Sequence, residues 1–97
     1  MLEVNNLVVD SKSFLGLKVT FPDIPPLILV KGEKGFVMCG YLNFDAAEKL
    51  GATAAIVSGV NSFEDVLNAS IKSSTPKAKE LGLEIGKTVR DVIGVLA

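Results

Sequence analysis

The sequence has no histidine and no tryptophan, a single cysteine at Cys39 and a single tyrosine at Tyr41. Without histidine, neither a cysteine–histidine pair nor a Ser-His-Asp triad can be assembled from this chain. One thiol and no imidazole cannot supply a four-ligand zinc site, so no metal site is expected and no cofactor is implied. One cysteine also leaves no intrachain disulfide to reinforce a small core. Charge of one sign is equally scarce. Ten basic and eleven acidic residues are scattered singly for a net charge of −1, with no basic stripe for nucleic-acid phosphates. Long apolar runs are missing too. The longest stretch without a formal charge, Leu50 to Phe63, is 14 residues and contains Thr, Ser and Asn, short of the ~18–20 apolar residues of a spanning helix. The first residues carry no basic segment followed by an apolar run, which argues against a secretory signal. No membrane association is expected, and the localisation expected is cytoplasmic.

What is present is a surplus of apolar residues in a short chain. Ninety-seven residues make a single domain, 1–97, with no room for a second core. A chain of this size buries only about 60–65% of its unfolded surface. Yet 48% of its residues are hydrophobic, nine more are glycine, and only 22% are charged. Apolar surface should remain once one small core is filled, and association is the remaining way to cover it. A homo-oligomer is therefore expected ahead of a slightly apolar monomer.

Along the chain, the first half reads as strands. Leu2, Val4 and Leu7–Val9 make a first strand ending in the turn-prone Asp10-Ser11-Lys12-Ser13. In the next, Leu15, Leu17, Val19 and Phe21 alternate with Gly16, Lys18 and Thr20, which predicts that the leucine face is the buried one. Pro22, Pro25 and Pro26 impose a loop. Leu27–Val30 and Phe36–Cys39 are continuous apolar runs suited to inner strands covered on both faces. Gly32-Glu33-Lys34-Gly35 between them reads as a hairpin loop whose glycines accept positive φ.

The second half turns helical. A short helix is predicted from Asp45 to Gly51, followed by a compact strand over Ala54–Val57. Ser62-Phe63-Glu64-Asp65 has capping-box spacing. Thr75-Pro76 marks a helix start and Gly82 its stop. Val89, Val92, Ile93 and Leu96 follow one stripe of a last helix. The fold class implied is α+β, a two-layer sandwich of a mainly antiparallel sheet of about five strands with three to four short helices.

Few motifs bear chemistry. Gly86-Lys87-Thr88 resembles the end of a phosphate-binding loop, but the required first glycine falls on Leu81, so a loop entering the last helix is the better reading. Cys39 is the one candidate nucleophile. A thiol reacts as thiolate and needs a nearby cation or helix N-terminus, whereas free cysteine is among the most buried residue types. Ser73-Ser74-Thr75 before Pro76 could cradle an anion at a helix N-terminus or simply cap that helix. Arg90, the sole arginine, offers a fork suited to carboxylates and phosphates, or a surface partner for an acidic neighbour such as Asp91. Asp45, Glu48, Glu64 and Asp65 lie where capping and the helix dipole already account for them.

The segment Gly35-Phe36-Val37-Met38-Cys39-Gly40-Tyr41-Leu42-Asn43 resembles the signature G-[YF]-[IV]-M-C-G-x-L-D of an uncharacterised prokaryotic family, the YunC-like domain-of-unknown-function family 1805. The similarity runs on through Gly59-Val60, Phe63–Leu67, Ser73, Thr75, Ala78, Leu81-Gly82 and a last helix with Arg90 before an acidic residue. Asn43 departs from the pattern, where aspartate is common. The resemblance implies a small two-layer fold, self-association and no established activity. It draws attention to Cys39 as a candidate catalytic thiol, and to Gly40, Ser73, Thr75 and Arg90 as candidate ligand-binding residues.

Two functional readings remain from the residues. One is a non-catalytic, self-associating domain that binds a partner or small ligand. The other is a small enzyme or ligand-binding protein whose site gathers Cys39, Thr75 and Arg90, within one subunit or between two.

Overall fold

A computed structural model describes residues 2–39 and 44–97. It contains one six-stranded sheet with its strands in sequence order: β1 (Leu2–Val9), β2 (Lys12–Val19), β3 (Leu27–Lys31), β4 (Phe36–Met38), β5 (Ala54–Ile56) and β6 (Ser73–Ser74). All neighbours are antiparallel except β4 and β5, which run parallel through the connection that carries α1 (Phe44–Lys49). The remaining helices are α2 (Phe63–Asn68), α3 (Pro76–Leu81) and α4 (Val89–Val92), with a 3-10 turn over Ile93–Leu96. The α+β class, the mainly antiparallel sheet and the short helices are as the sequence implies. The sixth strand, beyond the five expected, is the two-residue Ser73–Ser74, which the sequence reading had taken for part of a helix cap.

Local chemistry explains the connections. Asp10 and Ser11 both hold positive φ, 51° and 68°, as a two-residue hairpin turn requires. The β3–β4 loop corrects an expectation. Neither Gly32 nor Gly35 has positive φ; both are needed for close approach instead. A β-carbon at Gly32 would lie 2.1 Å from the Leu96 carbonyl oxygen, and one at Gly35 would lie 2.3 Å from that of Thr53. The Lys34 N–H then donates to the Leu96 carbonyl at 2.9 Å, pinning the C-terminal turn over this loop. Ser62 caps α2 by accepting from the Asp65 N–H, and Gly82 ends α3 at φ 109°.

The core lies between the sheet and the helices. Phe14, Ile28, Val30, Val37 and Ala55 project from the strands into a cluster with Val66 and Leu67 of α2, Ala78 of α3, Val89 of α4, and Ile93 and Leu96. Alternation then decides which residues of the β1–β2 hairpin belong to this inner face. The register pairs Leu7 with Phe14, Val4 with Leu17 and Asn6 with Leu15, so Leu7, Val9, Phe14 and Gly16 face the helices while Val4, Leu15 and Leu17 face away. The alternation of β2 predicts burial of its leucine face; the structure buries the other one. Gly16 shows why. A β-carbon there would be 2.8 Å from Cε1 of Phe63, so the missing side chain lets α2 settle directly on this strand.

The last helix also differs from expectation. Val89, Ile93 and Leu96 are fully buried, but Val92 is only half-buried. The α-helix gives way after Val92 to the tighter 3-10 turn, which rotates the stripe.

Candidate functional site

Cys39 directly follows β4. Its own N–H donates to the Ile28 carbonyl at 3.1 Å, and the Ile28 N–H donates back to Sγ at 3.4 Å. The thiol thus stands in for a carbonyl at the end of the β3–β4 ladder, a structural task that accounts for its burial at 5% exposure. It also forms part of the wall of a cavity of about 310 Å³, completed by Pro25, Pro26 and the loop 58–61. The lining is mainly apolar, with Ser58 and Asn61 contributing polar groups. Because β4 and β5 are parallel, this cavity lies beyond the carboxyl ends of both strands, the side on which open α/β sheets tend to bind ligands. Gly59 sits in its wall at φ 70°, with nothing within 4 Å of where a β-carbon would point.

Thr75 is placed at the opposite end of β5. Its N–H donates to the Ala54 carbonyl at 2.9 Å, and its Oγ1 accepts from the N–H groups of Ala54 at 3.1 Å and Ala78 at 3.4 Å. The side chain is buried and its acceptor capacity is spent on tying the start of α3 to the sheet. Ser73 of β6 pairs with Ile56 of β5, and the neighbouring Ser74 hydroxyl is buried with no hydrogen-bond partner among the described residues. Arg90 stands on α4, where Nη2 meets Glu64 Oε1 at 2.6 Å and Nε donates to Asn68 Oδ1 at 3.3 Å. Its acidic partner is Glu64 of α2, not the adjacent Asp91, and the fork is engaged in joining two helices. Gly40 lies outside the described residues, as does Asn43.

Within one copy of the chain, Cys39, Thr75 and Arg90 are not gathered around one cavity. Thr75 is level with the first residue of β5, while Cys39 lies beyond Met38, which pairs with the last. A second depression, between Lys34, Thr53, Lys77, Glu80 and Leu81, holds none of the three. Among the described residues, no group of three or more Cys, Asp or Glu side chains could hold a metal ion, and no helix is long and apolar enough to cross a membrane. The residues that sequence reasoning missed are Pro25, Pro26 and the 58–61 loop. In the sequence Pro25 and Pro26 read as chain breakers and Gly59-Val60 as part of the family resemblance; their convergence on Cys39 depends on strand order.

Residues 38–96 match the family model described as Domain of unknown function (DUF1805). The chain belongs to this family. The match begins at Met38 and takes in the Met-Cys segment, the cavity loop and all helices, so β1, β2 and β3 lie outside the part of the DUF1805 fold captured by the model. Among curated relatives of this DUF1805 chain is the "Uncharacterized protein YunC" of Bacillus subtilis, 24% identical over 97 residues, covering 96% of this chain and 95% of the relative. Among solved structures, the protein of unknown function TA1206 from Thermoplasma acidophilum superposes with a TM-score of 0.93. It is 32% identical and covers 100% of this chain and 94% of its own.

Proposed function

We propose that this chain is a non-catalytic, self-associating domain of the prokaryotic cytoplasm that presents a binding surface. The observation that carries the reading is the apolar surface left over after folding. Among the described residues, Leu2, Val4, Val8, Leu15, Ile24 and Leu50 are six of nine large apolar side chains that remain exposed, in a chain too short to hide them in a second core. The absence of histidine and of any disulfide pair argues in the same direction. Native mass spectrometry of freshly purified protein tests this reading. A defined multimer is the expected result, and monomer alone at every concentration removes the reading.

The cavity beside Cys39 favours a second reading, a ligand-binding or enzymatic site at the carboxyl ends of β4 and β5. Its size falls at the small end of the 300–1,000 Å³ typical of ligand sites. Alkylation of the native protein by a charged thiol reagent discriminates. If Cys39 serves as the buried ladder acceptor, labelling is slow until urea unfolds the chain; rapid labelling at native conditions favours the site reading.

A further inference from the structure

We infer that the outer face of the β1–β2 hairpin is the surface on which a second copy of this chain docks, sheet face against sheet face about a two-fold axis. The inference rests on the self-association reading above and assigns it a place. Four of the exposed apolar residues share one face. Leu2, Val4, Val8 and Leu15, exposed by 62%, 56%, 65% and 42%, all point to the side of the sheet away from α2, α3 and α4. Leu17 and Val19, paired with Val4 and Leu2, and Leu29, paired with Leu17, continue the same face half-buried.

Charge is sorted in the opposite sense. Glu3, Lys12 and Lys18 alternate onto the helix side, and Lys12 donates there to the Gly94 carbonyl. Across β1, β2 and β3 the outer face carries one charged residue, Lys31, at its margin, with Asn6 and Ser13 as its other polar members. Antiparallel sheets with one open face usually turn their polar residues outward; this hairpin turns its apolar residues outward.

The same face is closed further along. On β4 and β5, Met38 and Ala54 are buried together with Phe36, Ala52 and Ile56 around them. The open part is therefore a bounded patch. Its apolar area is on the order of 400 Å², the size of the largest apolar patch on a typical small protein, which is often functional. In a homodimer interface that is ~65% apolar, such a patch corresponds to about 600 Å² per copy and ~1,200 Å² in all, the lower limit of a standard interface. A second copy is the occupant that this patch fits. A two-fold axis lays the patch on itself, and because its one charge, Lys31, stands at the margin, docking brings no like charges together at the centre of the contact and strips none of water there. Pairing of two β1 edges would leave the patch in water and explains neither its composition nor its sorting.

Leu15 separates these arrangements because β2 is one strand in from the edge. In face-to-face docking it lies within the contact. In edge pairing, three strand spacings, roughly 14 Å, separate the two β2 strands. Sedimentation velocity across a concentration series of wild type, Leu15→Glu and Leu15→Thr tests the inference, with circular dichroism to confirm folding. Wild type is expected to dimerise in the micromolar range, Leu15→Glu to weaken dimerisation at least 100-fold, and the strand-compatible Leu15→Thr by about ten-fold. A folded Leu15→Glu or Leu15→Thr that dimerises as tightly as wild type overturns the docking face while leaving self-association standing. A wild type that stays monomeric overturns both.

Discussion

On the inner face of β2, Phe14 and Gly16 are sealed beneath α2, while one residue away Leu15 stands in solvent on the outer face. The residues flanking these positions are of similar kinds: leucines, valines, a glycine. What differs is the partner. The inner face meets helices whose apolar stripes were assembled from the second half of the chain, and those helices close over the strand that lacks a side chain at Gly16. The outer face leaves Leu2, Val4, Val8 and Leu15 exposed along β1 and β2, yet becomes buried again at Met38 and Ala54. Hydrophobicity alone therefore does not say which face of a strand is covered; the shape that the opposing layer requires says it.

The largest expected effect that tests this difference comes from Phe14→Ala, which removes a fully buried ring from the main core. It should cost about 3–5 kcal/mol in urea unfolding. A loss under ~1 kcal/mol would mean that the inner face is not the structural one. Gly16→Ala sharpens the same point by adding a single carbon against Phe63. The expected cost is about 1–3 kcal/mol, since the ring must move out of a packed position. The smallest effect belongs to Leu15→Ala. Measured at concentrations far below dimerisation, it should change stability by less than ~0.5 kcal/mol. If Leu15→Ala costs as much as Phe14→Ala in the dilute monomer, the two faces are not distinct and the comparison fails.

Helix ends off the sheet test the reading of Arg90. A double-mutant cycle on Arg90→Ala and Glu64→Ala should give a coupling of ~0.2–1 kcal/mol that falls with salt, because both side chains are well exposed. A coupling that vanishes at low salt would free Arg90 for another partner.

Much of the architecture was legible one segment at a time. Thr75-Pro76 and Gly82 bound α3 as read, Ser62 caps α2, and the apolar runs Leu27–Val30 and Phe36–Cys39 supply the central strands β3 and β4. These are local decisions, made by proline's fixed φ, by a hydroxyl within reach of a free N–H, and by side chains that need cover on both faces. The cavity residues were not legible in this way. Pro25, Ser58 and Asn61 carry no shared local pattern, and only the parallel pairing of β4 with β5 sets them beside Cys39.

By itself the sequence determined the class of fold, the ends of most helices, the family through its Met-Cys segment, and an excess of apolar side chains over what one small core can hold. Only the tertiary structure decided where that excess lies. An alternating strand presents two faces that differ by one step of register, and nothing within the strand states which of them the helices will meet. That choice depends on contacts between residues as far apart as Gly16 and Phe63. The same long-range packing turned Cys39 into an acceptor for Ile28 and Thr75 into a brace for β5, because a buried polar atom takes whichever backbone partner the assembled sheet places within reach.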